Sequence, residues 1–265
     1  MDWLPVVLAA FSLGAIGLIL GMLLTAADKR FAVALDERWA LVKEELGGAN
    51  CGACGYSGCA AYAEAVVAGK APINACPSAS VDAIASIMGV QAEHKAPMKA
   101  YVQCQAYMGN TRLRYDYDGY KSCATAASMA GGPKLCCYAC VGLGDCVKVC
   151  PFGAISLKNG NAAIDEFRCV GCGNCVKYCP RGVLHLKPAS AKIYIKCSNG
   201  KLGRTTRAQC IKTCIACGAC VKKCPQGAIS LRDGHAVIDY DKCDNCMVCV
   251  QACPSWCIVT EQDWR

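Results

Sequence analysis

The chain has 265 residues, of which 26 are cysteine, with 54% hydrophobic residues, 7% aromatic residues and a formal charge of +8. That length allows one to three domains, and so few aromatics exclude a large core filled by ordinary side chains. The basic balance suggests an acidic partner such as nucleic acid, but the count treats every cysteine as neutral, so the cysteine pattern decides how the charge is read.

Residues 4–27 carry no charge and as a helix are long enough to cross a hydrocarbon layer of about 30 Å. They predict one transmembrane anchor within residues 1–30. Asp28, Lys29 and Arg30 follow at once while only Asp2 precedes, which places the remainder of the chain on the cytoplasmic side of the plasma (inner) membrane. A cleaved signal peptide fits worse, because no basic leader exists and the apolar run is too long. Gly14, Gly17 and Gly21 include one small-xxx-small spacing. That spacing would admit a partner helix, although glycine is ordinary in any span.

Residues 31–46 read as a linker, where Phe31, Leu35, Leu41, Val42 and Leu46 among charges suit a short amphipathic helix at the membrane face or a plain spacer. A small domain over 47–95 comes next. Cys51, Cys54 and Cys59 stand in Cys-x2-Cys-x4-Cys spacing, and Cys76 precedes Pro77. Four such thiols in a glycine-rich loop that lets the backbone wrap closely make a ligand set for a single [4Fe-4S] cubane. The loop is not a phosphate cradle, since no Lys-Ser/Thr follows it and no Gly-x-Gly-x-x-Gly opens a helix. Helices are predicted over 60–68 and Val81–Met88. Residues 96–135 read as an irregular connecting segment that holds Cys104 and Cys123, with Tyr115, Tyr117 and Tyr120 expected to pack over the unit that begins at residue 136.

From there one unit occurs twice. At an offset of 74 residues Cys123, Cys136, Cys140, Cys146, Cys150, Cys169, Cys172, Cys175 and Cys179 fall on Cys197, Cys210, Cys214, Cys220, Cys224, Cys243, Cys246, Cys249 and Cys253. Pro151, Gly153, Gly160 and Asp165 recur as Pro225, Gly227, Gly234 and Asp239. This is a duplication, with residues 136–190 as the first two-cluster unit and 191–265 as the second. In the second unit Cys-x2-Cys-x2-Cys-x3-Cys-Pro is complete twice, the run of a two-cluster bacterial ferredoxin in which the fourth cysteine ligates the other cluster. The proline fixes φ and ends the turn. The crossed assignment puts Cys253 with Cys214, Cys217 and Cys220, and Cys224 with Cys243, Cys246 and Cys249.

In the first unit Cys150, Cys169, Cys172 and Cys175 complete one site. The other has only Cys140, Cys146 and Cys179, because Leu143 stands where the second unit has Cys217. Either Cys136 or Cys137 supplies the fourth thiolate, or the site holds a three-iron cluster. Five cubanes are expected in all. Cys104, Cys123, Cys197, Cys210, Cys257 and one of Cys136 or Cys137 are then left over, and whether they build a sixth centre stays open.

Zinc sites use paired Cys-x2-4-Cys knuckles without the third cysteine and the Cys-Pro, so the pattern points to electron relay. Disulfides on this scale belong to secreted chains, whereas clusters survive in reducing surroundings. An oxidised cubane with its thiolates carries about −2, so five bring the holo charge to about −2, and the nucleic-acid reading falls away. The predicted fold is α+β: an N-terminal transmembrane helix, a small single-cluster Fe-S domain, then tandem bacterial-type 2[4Fe-4S] ferredoxin folds. Each ferredoxin unit is expected to contain a β-hairpin with a glycine turn and two short helices. His94, His185 and His235 are scattered, no Cys-x-x-Cys-His marks a haem, and no catalytic residue is expected.

This order of parts resembles the B subunit of the Rnf family, also called Rsx, over essentially the whole chain. The most specific stretches are Gly52-Ala-Cys54-Gly55 with Cys59, Gly131-Gly-Pro-Lys134 leading to Tyr138-Ala-Cys140-Val-Gly-Leu-Gly-Asp-Cys146, and Cys150-Pro-Phe152. The resemblance implies an electron-transfer subunit of a membrane-bound ion-translocating oxidoreductase. Its partners would be soluble ferredoxin and other membrane subunits, and the redox span would drive sodium ions or protons across the membrane. The cysteines alone equally permit a membrane-tethered polyferredoxin serving a hydrogenase or dehydrogenase. A redox or iron sensor is disfavoured, because one labile cluster would suffice for sensing.

Overall fold

The computed structural model describes residues 3–31, 36–201 and 204–260. Asp2, Leu35 and the last residues of the second ferredoxin unit lie outside the described residues. Helix α1 (Leu4–Phe31) has 28 residues and at 1.5 Å per residue measures about 42 Å. Its described side chains are exposed along the whole length. Lys29 and Arg30 fill its last turn, where cations complement the carbonyl end of the helix.

The small domain is built from α2 (Arg38–Glu44), α3 (Cys59–Val67) and α4 (Val81–Met88). Val42 and Leu46 are buried with Tyr62, Val66, Cys76 and Ile84 in one apolar core. The helix expected within the linker therefore belongs to this domain. Val42 is fully buried there, because a domain with so little apolar surface needs a third helix to close over it.

Strand β1 (Met98–Val102) corrects the reading of residues 96–135 as purely irregular. It pairs antiparallel with β4 (Leu184–Pro188), Met98 facing Pro188 and Val102 facing Leu184. Its inward residues Ala100 and Val102 join the first unit's core. Between the two lie α5 (Cys123–Ser128), α6 (Asp145–Lys148), the hairpin β2 (Ile155–Lys158) and β3 (Asn161–Ile164), and α7 (Asn174–Tyr178). The second unit repeats the plan with β5 (Ile193–Ile195), α8 (Arg204–Gln209), α9 (Ala219–Lys223), β6 (Ile229–Arg232), β7 (His235–Ile238), α10 (Val248–Ala252) and β8 (Ile258–Thr260). Here β5 pairs with β8 as β1 does with β4.

Both hairpins close through two residues at positive φ, Asn159 and Gly160 at 50° and 73°, Asp233 and Gly234 at 48° and 79°. Asn-Gly and Asp-Gly are the sequences that such a type I′ turn demands, because its hand matches the strand twist. The glycine turns expected from sequence are thus present in both copies.

Candidate functional site: cysteine-lined cavities

In the second unit Cys214, Cys217, Cys220 and Cys253 line one cavity of about 320 Å³. The chain reaches it through Ala216 and Gly218, both left-handed (φ 53° and 72°), before turning into α9. Successive left-handed residues aim backbone amides into a concavity, and those of Ala216 and Ala236 stabilise the Cys214 thiolate. Cys257 Sγ lies 3.4 Å from Cys253 Sγ. Hydrogen bonding from Cys257 lowers the Cys214 thiol to about 6 and the Cys253 thiol to about 5, while Cys257 itself is pushed up and stays protonated.

The equivalent cavity of the first unit, about 360 Å³, is lined by Cys140, Cys146, Cys179 and Cys123. Neither Cys136 nor Cys137 lines it, and Cys123 stands there as the fourth thiol. Leu143 packs against Cys123, Ala126 and Val141 instead of lining the cavity. Cys123 begins α5, and the Asp145 carboxylate accepts hydrogen bonds from Ser122 Oγ at 2.9 Å, Cys123 N at 2.7 Å and Ala124 N at 3.3 Å. That carboxylate satisfies amides at the α5 start, and it starts α6, which carries Cys146. One side chain therefore fixes the separation of two of the four thiols.

Cys123 was hidden because its coincidence with Cys197 at the 74-residue offset is misleading. The residue that occupies Cys197's place is Cys104. Cys104 Sγ accepts from the Cys140 amide at 3.3 Å, and Cys197 likewise receives the amide of Cys214. A second register carried the signal: Lys99, Tyr101 and Cys104 match Lys192, Tyr194 and Cys197 at an offset of 93 residues. The first unit thus holds 19 additional residues between its first strand and its ladder, and α5 with Cys123 lies in that longer connection.

The outer site of the first unit, about 320 Å³, is lined by Cys150, Cys169, Cys172 and Cys175 with Phe152 and Ala100. Ala154 N donates to Cys150 Sγ at 3.4 Å and Ala100 N to Cys169 Sγ at 3.4 Å. The second unit repeats the first of these, from Ala228 N to Cys224 Sγ at 3.3 Å. Cys224, Cys243 and Cys249 pack in that unit's core, and the charges of Cys243 and Cys246 bear on Cys249. Burial pushes the Cys146 and Cys175 thiols up to about 12 and those of Cys220 and Cys249 up to about 11.

In the small domain Asn50 (φ 46°), Gly52 (φ 70°) and Gly55 (φ 88°) bend the loop that carries Cys51 and Cys54, and Asn50 Oδ1 accepts from Cys59 N at 2.8 Å. Tyr62 Oη donates to Pro72 O at 2.6 Å and accepts from Ala75 N at 3.1 Å, bracing the segment before Cys76. Burial raises the Tyr62 phenol, and the neighbouring charges of Cys76 and Cys54 raise it further. Burial pushes the Cys172 thiol up, the Asn174 amide opposes this, and Cys51 adds to the rise.

The cysteines fit iron-sulfur cubanes on their own chemistry. Paired amides point at the sulfurs, and Arg181 Nε and Ser255 Oγ, two buried donors without a partner, belong to residues lining the two inner cavities. Among the described residues no three His, Cys, Asp or Glu side chains converge closely enough for one metal ion. The thiols stand around spaces instead. Cys136 lines a separate cavity at the junction of the units, and Cys137 sits beside Gly131.

Three family models match: "Putative Fe-S cluster" over residues 46–78, and two described as "4Fe-4S dicluster domain", one over 209–254 and the other over 136–184 and 168–229. Among similar proteins, the B subunit of the Na(+)-translocating ferredoxin:NAD(+) oxidoreductase complex of Acetobacterium woodii is 43% identical, over 93% of this chain and 75% of its own length. The B subunit of the proton-translocating ferredoxin:NAD(+) oxidoreductase complex of Clostridium ljungdahlii is 40% identical, over 92% and 88%. The B subunit of the ion-translocating oxidoreductase complex of Methanosarcina acetivorans is 37% identical, over 91% and 93%. With dicluster ferredoxin domains, an apolar N-terminal helix and this likeness along nearly its whole length, the chain belongs to the B subunit family of the ion-translocating oxidoreductase, or Rnf, complexes.

Proposed function

We propose that this chain relays electrons between soluble ferredoxin and the membrane subunits of an ion-translocating ferredoxin:NAD+ oxidoreductase, with its cysteine domains on the cytoplasmic side. The observation that carries the reading is the repeated cavity whose thiols are met by backbone amides in both ferredoxin units. Five ligand sets follow: Cys51, Cys54, Cys59 and Cys76; Cys150, Cys169, Cys172 and Cys175; Cys123, Cys140, Cys146 and Cys179; Cys214, Cys217, Cys220 and Cys253; and Cys224, Cys243, Cys246 and Cys249. Bound there, [4Fe-4S] clusters supply one-electron acceptance and donation without proton transfer. The chain's own share is to bury or half-bury most of the thiols and to aim amides at sulfur.

Electrons enter at the tandem units and leave through the small domain, which lies nearest the anchor in sequence. Cys54→Ser in the assembled complex tests it. With reduced ferredoxin as donor, the tandem units of the variant still bleach, while ion transport and reduction of the downstream acceptor stop. Transport at the normal rate in a variant shown to lack the small domain's cluster would refute this path. Fusions at the C-terminus test the side, and an external reporter signal would refute the cytoplasmic placement.

A further inference from the structure

Four cysteines outside those five sets meet in one place. Cys104, Cys136, Cys197 and Cys210 line a cavity of about 270 Å³ at the junction of the two ferredoxin units, together with Lys196 and Asn199. Its size is comparable to the cavities of the inner and outer sites. The four thiols come from both units in matched pairs: Cys104 and Cys197 each follow a first strand, and Cys136 and Cys210 correspond at the 74-residue offset. All four are 6–7% exposed. Four buried thiols facing one space with no disulfide among them need another reason to be together.

Their surroundings match those of the other sets. Cys104 Sγ accepts from Ala106 N at 3.4 Å and Cys140 N at 3.3 Å. Thr213 Oγ1 lies 3.5 Å from Cys197 Sγ, and Asn199 Nδ2 lies 3.9 Å from Cys136 Sγ. Two lysines are buried at the same junction. Lys134 Nζ is held by Ala106 O at 2.8 Å, Gly160 O at 2.7 Å and Asn161 Oδ1 at 2.6 Å, and Lys196 Nζ lies 3.2 Å from Tyr107 Oη. Burial lowers the Lys134 ammonium below its usual range, and thiolate charge on Cys104, Cys140, Cys210 and Cys136 opposes that fall. A buried cation beside buried thiols is costly unless an anionic group joins them.

We propose that Cys104, Cys136, Cys197 and Cys210 hold a sixth [4Fe-4S] cluster, shared by the two ferredoxin units. A single zinc ion is the weaker occupant, since no three of these thiols converge closely enough for one ion. The site also has a place in the relay. Cys104 accepts the amide of Cys140 and Cys197 that of Cys214, so the centre stands between the inner sites of the two units. One electron arrives from the reduced neighbour on one side, ultimately from a low-potential one-electron donor of the ferredoxin class, and leaves to the oxidised neighbour on the other. No bond is made and no proton moves.

The inference rests on the cluster-carrier reading, and the iron count separates the two. Protein purified without oxygen should contain about 24 iron atoms per chain, against about 20 for five cubanes. A wild-type count near 20 overturns the sixth centre and leaves the relay standing; a chain without iron and sulfide overturns both. Cys104→Ser with Cys197→Ser should lose about four irons and one reduced-cluster signal in paramagnetic resonance, while Cys137→Ser loses none. If the first pair does not fold, Cys136→Ser with Cys210→Ser reads the same loss. Unchanged iron in a folded pair, or one zinc per wild-type chain that the pair loses, overturns the proposal.

Discussion

Cys104 and Cys197 face each other across an isolated antiparallel bridge, although each closes the first strand of a different ferredoxin unit. Two copies of one fold thus meet through corresponding residues, in the self-complementary manner of a symmetric dimer but within one chain. The neighbouring Tyr101 and Tyr194 follow the same rule, with ring centroids 5.4 Å apart.

The 19 residues by which the first unit exceeds the second bring in Cys123, and that makes a clear test. Cys123→Ser should remove one cluster, about four irons, from a chain that otherwise folds. Cys137→Ser should remove none. Asp145→Ala, which leaves the start of α5 uncapped, should cost about 1 kcal/mol and speed release of that same cluster, followed as bleaching in a chelator. Equal iron in the Cys123 variant and the wild type would return the site to three protein ligands.

Cys257 distinguishes the two inner sites, since the first unit has Val183 at the corresponding position. A hydrogen bond to a ligand sulfur favours the reduced, more negative state. Losing one worth about 1 kcal/mol lowers a one-electron potential by about 40 mV. Cys257→Val should therefore keep the iron and shift one cluster to a lower potential in a redox titration. A shift upward, or lost iron, would show that Cys257 acts otherwise.

At four left-handed positions around the sites the first unit has glycine where the second has a residue with a side chain. Gly142, Gly171, Gly173 and Gly182 correspond to Ala216, Asn245, Met247 and Trp256, all at positive φ. A Cβ on Gly142 would run into the carbonyl of Gly160. Gly142→Ala should destabilise by about 3 kcal/mol, from overpacking plus the left-handed conformation, and accelerate loss of the first inner cluster in denaturant. Ala216→Gly should change stability by under about 1 kcal/mol, since relief of strain is offset by a freer unfolded chain.

Burial holds the Cys146 and Cys175 thiols near 12 and those of Cys220 and Cys249 near 11, so at neutral pH each must release its proton before it binds iron. Reconstitution of the iron-free chain should therefore liberate protons, and cluster retention should weaken as pH falls. Weakly buffered solution with an indicator dye reads the first, and iron release at stepped pH the second. Removal of the clusters by a chelator should also unfold the ferredoxin units, visible as loss of strand signal in circular dichroism. Proton uptake during assembly would contradict the argument.

Much of this was legible in the cysteines and turns. Spacing grouped Cys214, Cys217, Cys220 and Cys253, which line one cavity, turn chemistry marked the Asn-Gly and Asp-Gly hairpins, and pattern marked Val81–Met88. What stayed hidden depends on partners far along the chain. Strand β1 has five residues and becomes recognisable only against β4, nearly the length of a whole unit later. Val42 lies in a short segment flanked by charges, as in a spacer, and it is buried in a core shared with α3. Cys123 is an ordinary spare cysteine until Asp145 ties it to α6. Tertiary contacts of this kind leave no local period to read.

Tyr101 lies between Tyr194 and His185, with centroids 5.4 Å and 5.9 Å away, and Lys187 Nζ lies 5.1 Å from the Tyr194 ring centroid while bonded to Ala191 O at 2.7 Å. Tunnelling falls steeply with distance, so two hinged carriers would conduct only in the fraction of time they spend close. Clamped by these rings, the two halves keep one fixed gap, and current through the chain should vary little with solvent viscosity.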